Sequence, residues 1–231
     1  MKMKRKKTKN YENIKIYTLG NSTVGKTSFI LRFTEDYFNN AYIQTIGIDY
    51  QTKIITLNGK TYSVNFYDTA GQERYKSISV NSIKWADGIL LMYDITNKKS
   101  FDAIPQWMKD IIENKGINFP IILIGNKCDL EDEREVTKDE GEQLAKNYGV
   151  SFFETSNKDD VNIKNVGTEL INQIIQIREK KRTDLLKEFD FLLVEKDTFE
   201  LDINNYKKEK KENKENINHN KNPNNSNSGC F

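Results

Sequence analysis

Residues Gly20 to Thr27 read G-N-S-T-V-G-K-T and fit the pattern G-x-x-x-x-G-K-[ST] of a phosphate-binding loop. That pattern requires a strand before the loop and a helix after it. Both are indicated, because Asn13 to Leu19 is rich in apolar residues and Thr27 to Phe38 spaces its apolar residues along one helical face. The backbone amides of such a loop and the positive end of the helix dipole converge on one point. The sequence therefore predicts a phosphate site here.

The residue types within the loop suit this chemistry. Gly20 and Gly25 allow backbone angles and a close approach that a Cβ would prevent. Lys26 carries a point charge that reaches the β and γ phosphates, and the Thr27 hydroxyl suits a hard cation that prefers oxygen ligands. We therefore predict that the nucleotide-binding residues of this segment are Gly20, Asn21, Ser22, Thr23, Val24, Gly25, Lys26, Thr27 and Ser28.

A second motif, D-T-A-G-Q-E, begins at Asp68 after the strand pattern of Tyr62 to Tyr67. An acidic residue at the carboxyl end of a strand beside a phosphate loop is well placed to hold Mg²⁺. The Gly71 amide can donate to a γ phosphate, and Gln72 has the donor and the acceptor needed to orient an attacking water. The predicted metal ligands are Thr27, Thr45 and Asp68, and the predicted catalytic residues are Gln72, Lys26 and Thr45.

The third motif, Asn126-Lys127-Cys128-Asp129, follows the apolar strand Ile121 to Gly125 and is the candidate base-reading segment. Guanine presents N1–H and an exocyclic amine as adjacent donors, and the Asp129 carboxylate can accept both. Adenine has an acceptor at the corresponding position and is disfavoured. Lys127 can lay its methylene stem on the ring, and Phe38 can cover the opposite face or, equally, belong to the ordinary core.

The fourth motif, Glu154 to Lys158, follows a short strand pattern at Ser151 to Phe153. A backbone amide of this segment can meet the guanine O6. The base-binding residues predicted from the third and fourth motifs are Phe38, Asn126, Lys127, Asp129, Ser156, Asn157 and Lys158.

These four motifs, in this order, resemble those of the small GTPases of the Ras superfamily over about residues 11–182. Within that superfamily the chain is similar to the Rab family. The similarity rests on Ile46 to Tyr50 (I-G-I-D-Y), Asp68 to Tyr75 (D-T-A-G-Q-E-R-Y) and Leu91 to Thr96 (L-M-Y-D-I-T). It implies an α/β fold, the P-loop NTPase G domain, with a mixed six-stranded sheet and helices on both faces.

Other segments depart from the Rab pattern. The chain has S-V-N-F-Y at Ser63 to Tyr67 where K-L-Q-I-W is usual, and S-I-K-W-A at Ser82 to Ala86 where Y-Y-R-G-A is usual. Asn157 stands where alanine is usual, a change that a contact through the backbone amide should tolerate. These departures leave the Rab subfamily unassigned.

The resemblance implies a switch that binds and slowly hydrolyses GTP to control effector binding, in intracellular vesicle trafficking. Exchange factors, effectors and a prenyl-handling chaperone are the implied partners. Because Tyr37 to Gly47 contains no arginine, a GTPase-activating protein is expected to supply one. Two alternatives remain at this stage: a nucleotide-binding scaffold without turnover, and a signalling Ras-like GTPase without a role in membrane traffic. An ATPase or kinase would need a different base-reading loop.

Strand and helix patterns alternate as in a doubly wound sheet. Asn58-Gly59 is a hairpin signal between Tyr50 to Leu57 and Tyr62 to Asp68, which predicts one antiparallel pair. Gly88 to Asp94 and Ile121 to Gly125 are predicted to be buried parallel strands. Helices are predicted near Pro105 to Asn114, Lys138 to Tyr148 and Val161 to Lys181, the first beginning at Pro105.

Composition fits one domain with tails. The net charge of +2 creates no overall field for nucleic acid, so no nucleic-acid partner is predicted. The two cysteines, Cys128 and Cys230, fit a reduced cytoplasmic protein rather than a disulfide framework. We find neither a secretory signal nor an apolar run long enough to span a bilayer.

We divide the chain into a basic N-terminal extension (1–10), a GTPase domain (11–182), an extra segment (183–203) and an Asn- and Lys-rich tail (204–231) that is expected to be disordered. The extra segment has enough apolar residues to pack as a helix or strand, or to bind a partner. The tail ends in S-G-C-F, which does not fit the C-a-a-X rule. Cys230 is either a prenylation site, placing the protein on the cytoplasmic face of an endomembrane or the plasma membrane, or a free thiol.

Overall fold

A mixed sheet organises the protein. The computed structural model describes residues 11–39, 48–69 and 81–189. Within them the sheet has six strands in the order β2-β3-β1-β4-β5-β6, and all neighbours are parallel except the antiparallel pair β2 and β3. The strands are β1 (Glu12–Leu19), β2 (Ile48–Leu57), β3 (Lys60–Thr69), β4 (Gly88–Asp94), β5 (Ile121–Asn126) and β6 (Ser151–Thr155).

The burial of the central strands and the position of the hairpin follow from the sequence. Every residue of β4 and β5 is buried, because these central parallel strands are covered on both faces and are apolar on both. The hairpin that joins β2 to β3 turns at Asn58 and Gly59, whose φ angles of +50° and +76° suit the primed turns that connect twisted strands. The predicted hairpin and the predicted parallel strands are therefore confirmed.

Helices cover both faces of this sheet, as the resemblance implied. The helices are α1 (Lys26–Glu35), α2 (Lys98–Asp102), α3 (Ile104–Lys115), α4 (Lys138–Tyr148) and α5 (163–176). One buried cluster joins α1 and α5 to the sheet, and a second joins α3 and α4 to it. Because β1 and β3 end beside the start of α1, the phosphate loop lies at the carboxyl edge of the sheet, where the ligands of open α/β sheets bind.

Most predicted helix limits agree with the structure, and the differences have local causes. Helix α1 ends at Glu35 rather than at Phe38, because Asp36 takes a left-handed conformation. The Asp36 N–H donates to the Arg32 carbonyl, and the Tyr37 N–H donates to the Leu31 carbonyl. Helix α4 has the predicted limits, fixed by a capping box between Thr137 and Glu140 and by Gly149 at its end.

The chain divides into two compact units, 1–176 and 177–231. In the second unit residues 177–189 are helical, past the predicted end at Lys181, since neither glycine nor proline interrupts them. The first seven residues of the extra segment are thus helical, with Leu185, Leu186 and Phe189 exposed. The N-terminal extension, the rest of the extra segment and the tail lie outside the described residues. Among the helices that are described, none is long and apolar enough to cross a membrane.

Candidate functional site

The glycines of the phosphate loop are required by close approaches. Gly20 has a φ of +134°, and a Cβ there would lie 2.1 Å from the carbonyl oxygen of Met92 in β4. Gly25, at φ +98°, is the N-cap residue that precedes helix α1, and a Cβ there would lie 2.2 Å from Nδ2 of Asn126. A side chain at Gly20 would displace the loop from β4, and one at Gly25 would strain the backbone and push aside the Asn126 side chain. Both glycines thus have the positive φ angles and the close approaches that were predicted for them.

Lys26 is a buried cation within the phosphate loop. Its side chain bends back so that Nζ donates to the carbonyl oxygens of Gly20 at 2.9 Å and Asn21 at 2.7 Å. The residue is 6% exposed, and this burial lowers the pKa of Lys26 to about 8, while the nearby Asp68 carboxylate acts in the opposite direction. An ammonium group held inside a loop of this kind is available to an anion that enters it.

Two further residues of the phosphate loop, Asn21 and Thr23, make hydrogen bonds with their side chains. Nε1 of Trp107 in α3 donates to Oδ1 of Asn21 at 3.2 Å, and the Thr23 hydroxyl donates to the Ser22 carbonyl at 2.6 Å. Ser28 lies in the first turn of α1. These contacts fix the shape of the loop from the protein side.

Thr27 and Asp68 meet across the gap between α1 and β3. The Thr27 hydroxyl donates to Oδ2 of Asp68 at 2.6 Å, and Asp68 is buried. Next to it, the Thr69 hydroxyl donates to the Thr18 carbonyl at 2.6 Å and so fixes the end of β3 against β1. A hydroxyl and a carboxylate at this separation are oxygen donors of the kind that Mg²⁺ prefers. Two of the three predicted metal ligands are thus brought together, and the third, Thr45, lies outside the described residues.

Asn126 joins the base-reading segment to the phosphate loop. Its Nδ2 donates to the Val24 carbonyl at 2.8 Å, and its Oδ1 accepts from the Thr155 hydroxyl at 3.0 Å. The residue is 1% exposed. The side chain therefore holds three loops together, and a direct contact between Asn126 and a nucleotide remains a prediction.

Lys127 is oriented by an acidic residue that the sequence analysis did not single out. Its Nζ lies 2.6 Å from Oδ2 of Asp94, whose other oxygen accepts from the backbone and hydroxyl of Thr96. Asp94 ends β4 and is the register partner of Asn126 at the end of β5. Asp94 could have been predicted as a site residue, because it is an acidic residue at the carboxyl end of an otherwise apolar, buried strand.

Asp129 is held by the fourth motif. Oδ1 of Asp129 accepts from the Ser156 hydroxyl at 2.6 Å, and the same Ser156 oxygen accepts from the Asp159 N–H at 3.0 Å. Between the two loops, the Cys128 N–H donates to the Thr155 carbonyl at 3.0 Å. Burial, followed by the nearby carboxylates Glu154 and Asp129, raises the pKa of the Cys128 thiol. The predicted base-reading residues thus form one connected group.

The remaining predicted base-site residues, Phe38, Asn157 and Lys158, all contact Arg32, a residue that was not predicted from the sequence. Nε and Nη2 of Arg32 donate to the carbonyl oxygens of Asn157 at 2.9 Å and Lys158 at 3.0 Å. Its guanidinium carbon also lies 5.7 Å from the centre of the Phe38 ring. Asn157 in turn donates from Nδ2 to the Gly25 carbonyl at 3.0 Å. Phe38 therefore lies beside the base-reading loops rather than in the core.

The structure brings the first, third and fourth motifs together with Asp68. The predicted residues that lie outside the described part of the chain are Thr45, Gly71, Gln72 and Cys230.

Residues 15–176 match the family model described as Ras family. The chain is 45% identical to Ras-related protein Rab-13 of Bos taurus over 168 residues, which cover 72% of this chain and 83% of that protein. It is 44% identical to Ras-related protein Rab-8A of Mus musculus over 167 residues, 72% of this chain and 81% of that protein. It is 45% identical to Ras-related protein Rab-3A of Homo sapiens over 162 residues, 70% of this chain and 74% of that protein.

Proposed function

Because the chain belongs to the Ras family and is a Rab-like small GTPase, a switch that binds and hydrolyses GTP, we propose that it controls vesicle trafficking through the residues described above. The observation that carries the site assignment is the chain of contacts from the phosphate loop to the base-reading carboxylate. Asn126 joins Val24 to Thr155, and the neighbouring Ser156 holds Asp129. The phosphate loop and the base-reading carboxylate are therefore close enough to bind the phosphates and the purine of one nucleotide.

In this proposal the loop amides and Lys26 bind the phosphates of GTP or GDP. Thr27 and Asp68, together with Thr45, are the residues that would hold Mg²⁺, and the hydroxyl–carboxylate pair at 2.6 Å fits a hard cation. Mg²⁺ supplies charge neutralisation to the phosphates when it is bound. Lys26 adds a second positive charge on the protein side.

Hydrolysis requires a water in line with the γ phosphate, and we assign its orientation to Gln72. Arg32 is committed to the carbonyls of Asn157 and Lys158, so its guanidinium is held at the base side of the site. We therefore propose that a GTPase-activating protein supplies the arginine that stabilises the transferring phosphoryl group.

Replacing Gln72 by leucine is expected to slow single-turnover GTP hydrolysis by about 10-fold or more while leaving GTP affinity nearly unchanged, because leucine can neither donate to nor accept from a water. The measurement is phosphate release from pre-loaded protein after Mg²⁺ is added, with Gln106→Leu, on α3, as the matched control. An unchanged rate in the Gln72 variant would remove that side chain from the mechanism. No phosphate release above background from the wild-type protein would support a scaffold without turnover.

We further propose that Thr45 and the Gly71 amide bind the γ phosphate in the GTP state and are released after hydrolysis. Such order–disorder changes alter the surface that partners contact. Exchange factors and effectors are the classes of partner that this cycle requires.

The C-terminal tail is proposed to attach the protein to the cytoplasmic face of a membrane through a prenylated Cys230. After Asn204 the tail has six lysines and three glutamates, a net charge of +3 from these residues, which adds attraction to anionic lipid. Mass spectrometry of the C-terminal peptide from native cells is expected to show a prenyl adduct on Cys230, and Cys230→Ser should lose both the adduct and membrane recovery. An unmodified thiol would exclude this tether.

A further inference from the structure

Arg32 connects the end of helix α1 to the segment that follows β6. Two of its guanidinium nitrogens donate to consecutive carbonyls, those of Asn157 and Lys158, and a third contacts the Asp36 carbonyl at 3.3 Å. The Arg32 side chain is 16% exposed, and its bond to the Asn157 carbonyl is partly buried, while those to Lys158 and Asp36 lie nearer the surface. Charge-assisted bonds from a rigid guanidinium fix the positions of both acceptors more strictly than a single bond would.

A second contact holds the same segment at the other end of the helix. Nδ2 of Asn157 donates to the carbonyl of Gly25, at 3.0 Å, and Asn157 is 4% exposed. Segment 157–158 is therefore held at both ends of helix α1, through the bond from Asn157 to the N-cap residue Gly25 and through Arg32 in the last turn. The base-reading segment cannot shift relative to the phosphate loop without breaking one of these contacts.

The planarity of the peptide unit links the fixed carbonyls of Asn157 and Lys158 to the N–H groups that follow them. A peptide group is planar, so a carbonyl fixed on one side fixes the direction of the N–H on the other. Holding the Asn157 carbonyl orients the Lys158 N–H. Holding the Lys158 carbonyl orients the Asp159 N–H, which donates to the Ser156 hydroxyl, which in turn donates to Asp129.

We propose that Arg32 is a positioning residue that determines guanine specificity, acting through these two peptide groups on the amide that meets O6 and on the Asp129 carboxylate. This inference rests on the proposed base-reading role of Asp129 and segment 156–158. Its effect is on discrimination between bases, beyond any contribution of Arg32 to stability.

The test compares nucleotide analogues that differ from GDP by one group. Inosine diphosphate lacks the exocyclic amine, and 6-thioguanosine diphosphate replaces O6 by the larger, weaker acceptor sulfur. Dissociation constants are measured for GDP and both analogues with wild-type protein and with Arg32→Ala and Arg32→Lys. We define the penalty for an analogue as its dissociation constant divided by that of GDP. In Arg32→Ala we expect the dissociation constant of GDP to rise about 10-fold and the penalty for at least one analogue to fall about threefold or more, because pairwise coupling disappears when one partner is removed. Arg32→Lys should restore part of that penalty.

Lys115→Ala is the matched control. Nζ of Lys115 also donates to two backbone carbonyls, those of Lys84 and Ala86, and lies 5.0 Å from the centre of the Phe119 ring. This variant should lower the melting temperature without changing either analogue penalty. Unchanged penalties for both analogues in Arg32→Ala would overturn the proposal, whatever happened to GDP affinity. If Arg32→Ala does not fold, the same comparison is decided with Arg32→Lys. A wild-type protein that did not prefer GDP to ADP would instead contradict the base-reading assignment itself.

Discussion

Asp129→Asn is expected to convert a guanine-specific protein into one that prefers xanthine. Xanthine carries a carbonyl at the position of the guanine amine, and an amide side chain can donate to that oxygen where a carboxylate would repel it. GDP affinity should fall by about 10³-fold or more, since a site built to pair polar groups strongly rejects an analogue that leaves them unpaired. XDP affinity should rise correspondingly. The Ser156 hydroxyl, 2.6 Å from Oδ1 of Asp129, can also donate to an amide oxygen and would hold the new side chain in place.

The measurement is calorimetric titration of both proteins with GDP, XDP and ADP. Asp132→Asn is a suitable control, because Asp132 is an exposed acid in the same loop, in the 3₁₀-helix Glu131–Glu133. The control should keep the wild-type order of affinities. If Asp129→Asn bound GDP as tightly as the wild-type protein does, base recognition by this carboxylate would be wrong.

The sequence predicted the parts of the site that depend on local spacing. Gly20 to Thr27 places two glycines, a lysine and a hydroxyl in one loop, and the turn between a strand and a helix is enough to make them converge. Asp129 could be predicted for the same reason, since it follows a buried strand whose end must lie at the same edge. The limits of α4 were also predictable, because its capping box and its terminal glycine are local signals.

The parts that could not be predicted are pairs between distant segments. Asp94 pairs with Lys127, and Arg32 contacts the carbonyls of Asn157 and Lys158, which follow it by more than a hundred residues. Residue spacing does not indicate which cation will pair with which acceptor once strands are ordered in a sheet. Backbone carbonyls are harder still to predict as acceptors, because every residue has one.

These distant contacts also position residues that were predicted to bind the nucleotide. The methylene stem of Lys127 is predicted to lie on the base, and Asp94 holds the ammonium group at its end. Asn126 is predicted to bind nucleotide, and both polar atoms of its side chain contact other loops of the protein. Several of the site's polar residues thus position one another, which reduces the reorganisation needed when a ligand binds.

Lys26→Met is expected to weaken nucleotide binding far more than it lowers the stability of the nucleotide-free protein. Loss of the ammonium removes charge-assisted contacts to the phosphates, which should weaken GDP and GTP binding by about 10²- to 10⁴-fold, or about 2.7–5.5 kcal/mol. The nucleotide-free protein should be affected much less. The lowered pKa of about 8 shows that burial disfavours the charged form of Lys26, so an apolar side chain of similar length avoids that penalty while it loses the bonds to Gly20 and Asn21.

The two effects can be measured on one preparation, by denaturant unfolding of nucleotide-free protein and by titration with GDP. Lys53→Met is the matched control, because Nζ of Lys53 also donates to a backbone carbonyl, that of Phe33, and lies over the Phe33 ring. That control should change stability and leave GDP affinity close to the wild-type value. A Lys26 variant whose loss of stability equalled its loss of binding energy would show that Lys26 shapes the loop, since a group that acts on the ligand must change the bound state more than the free one.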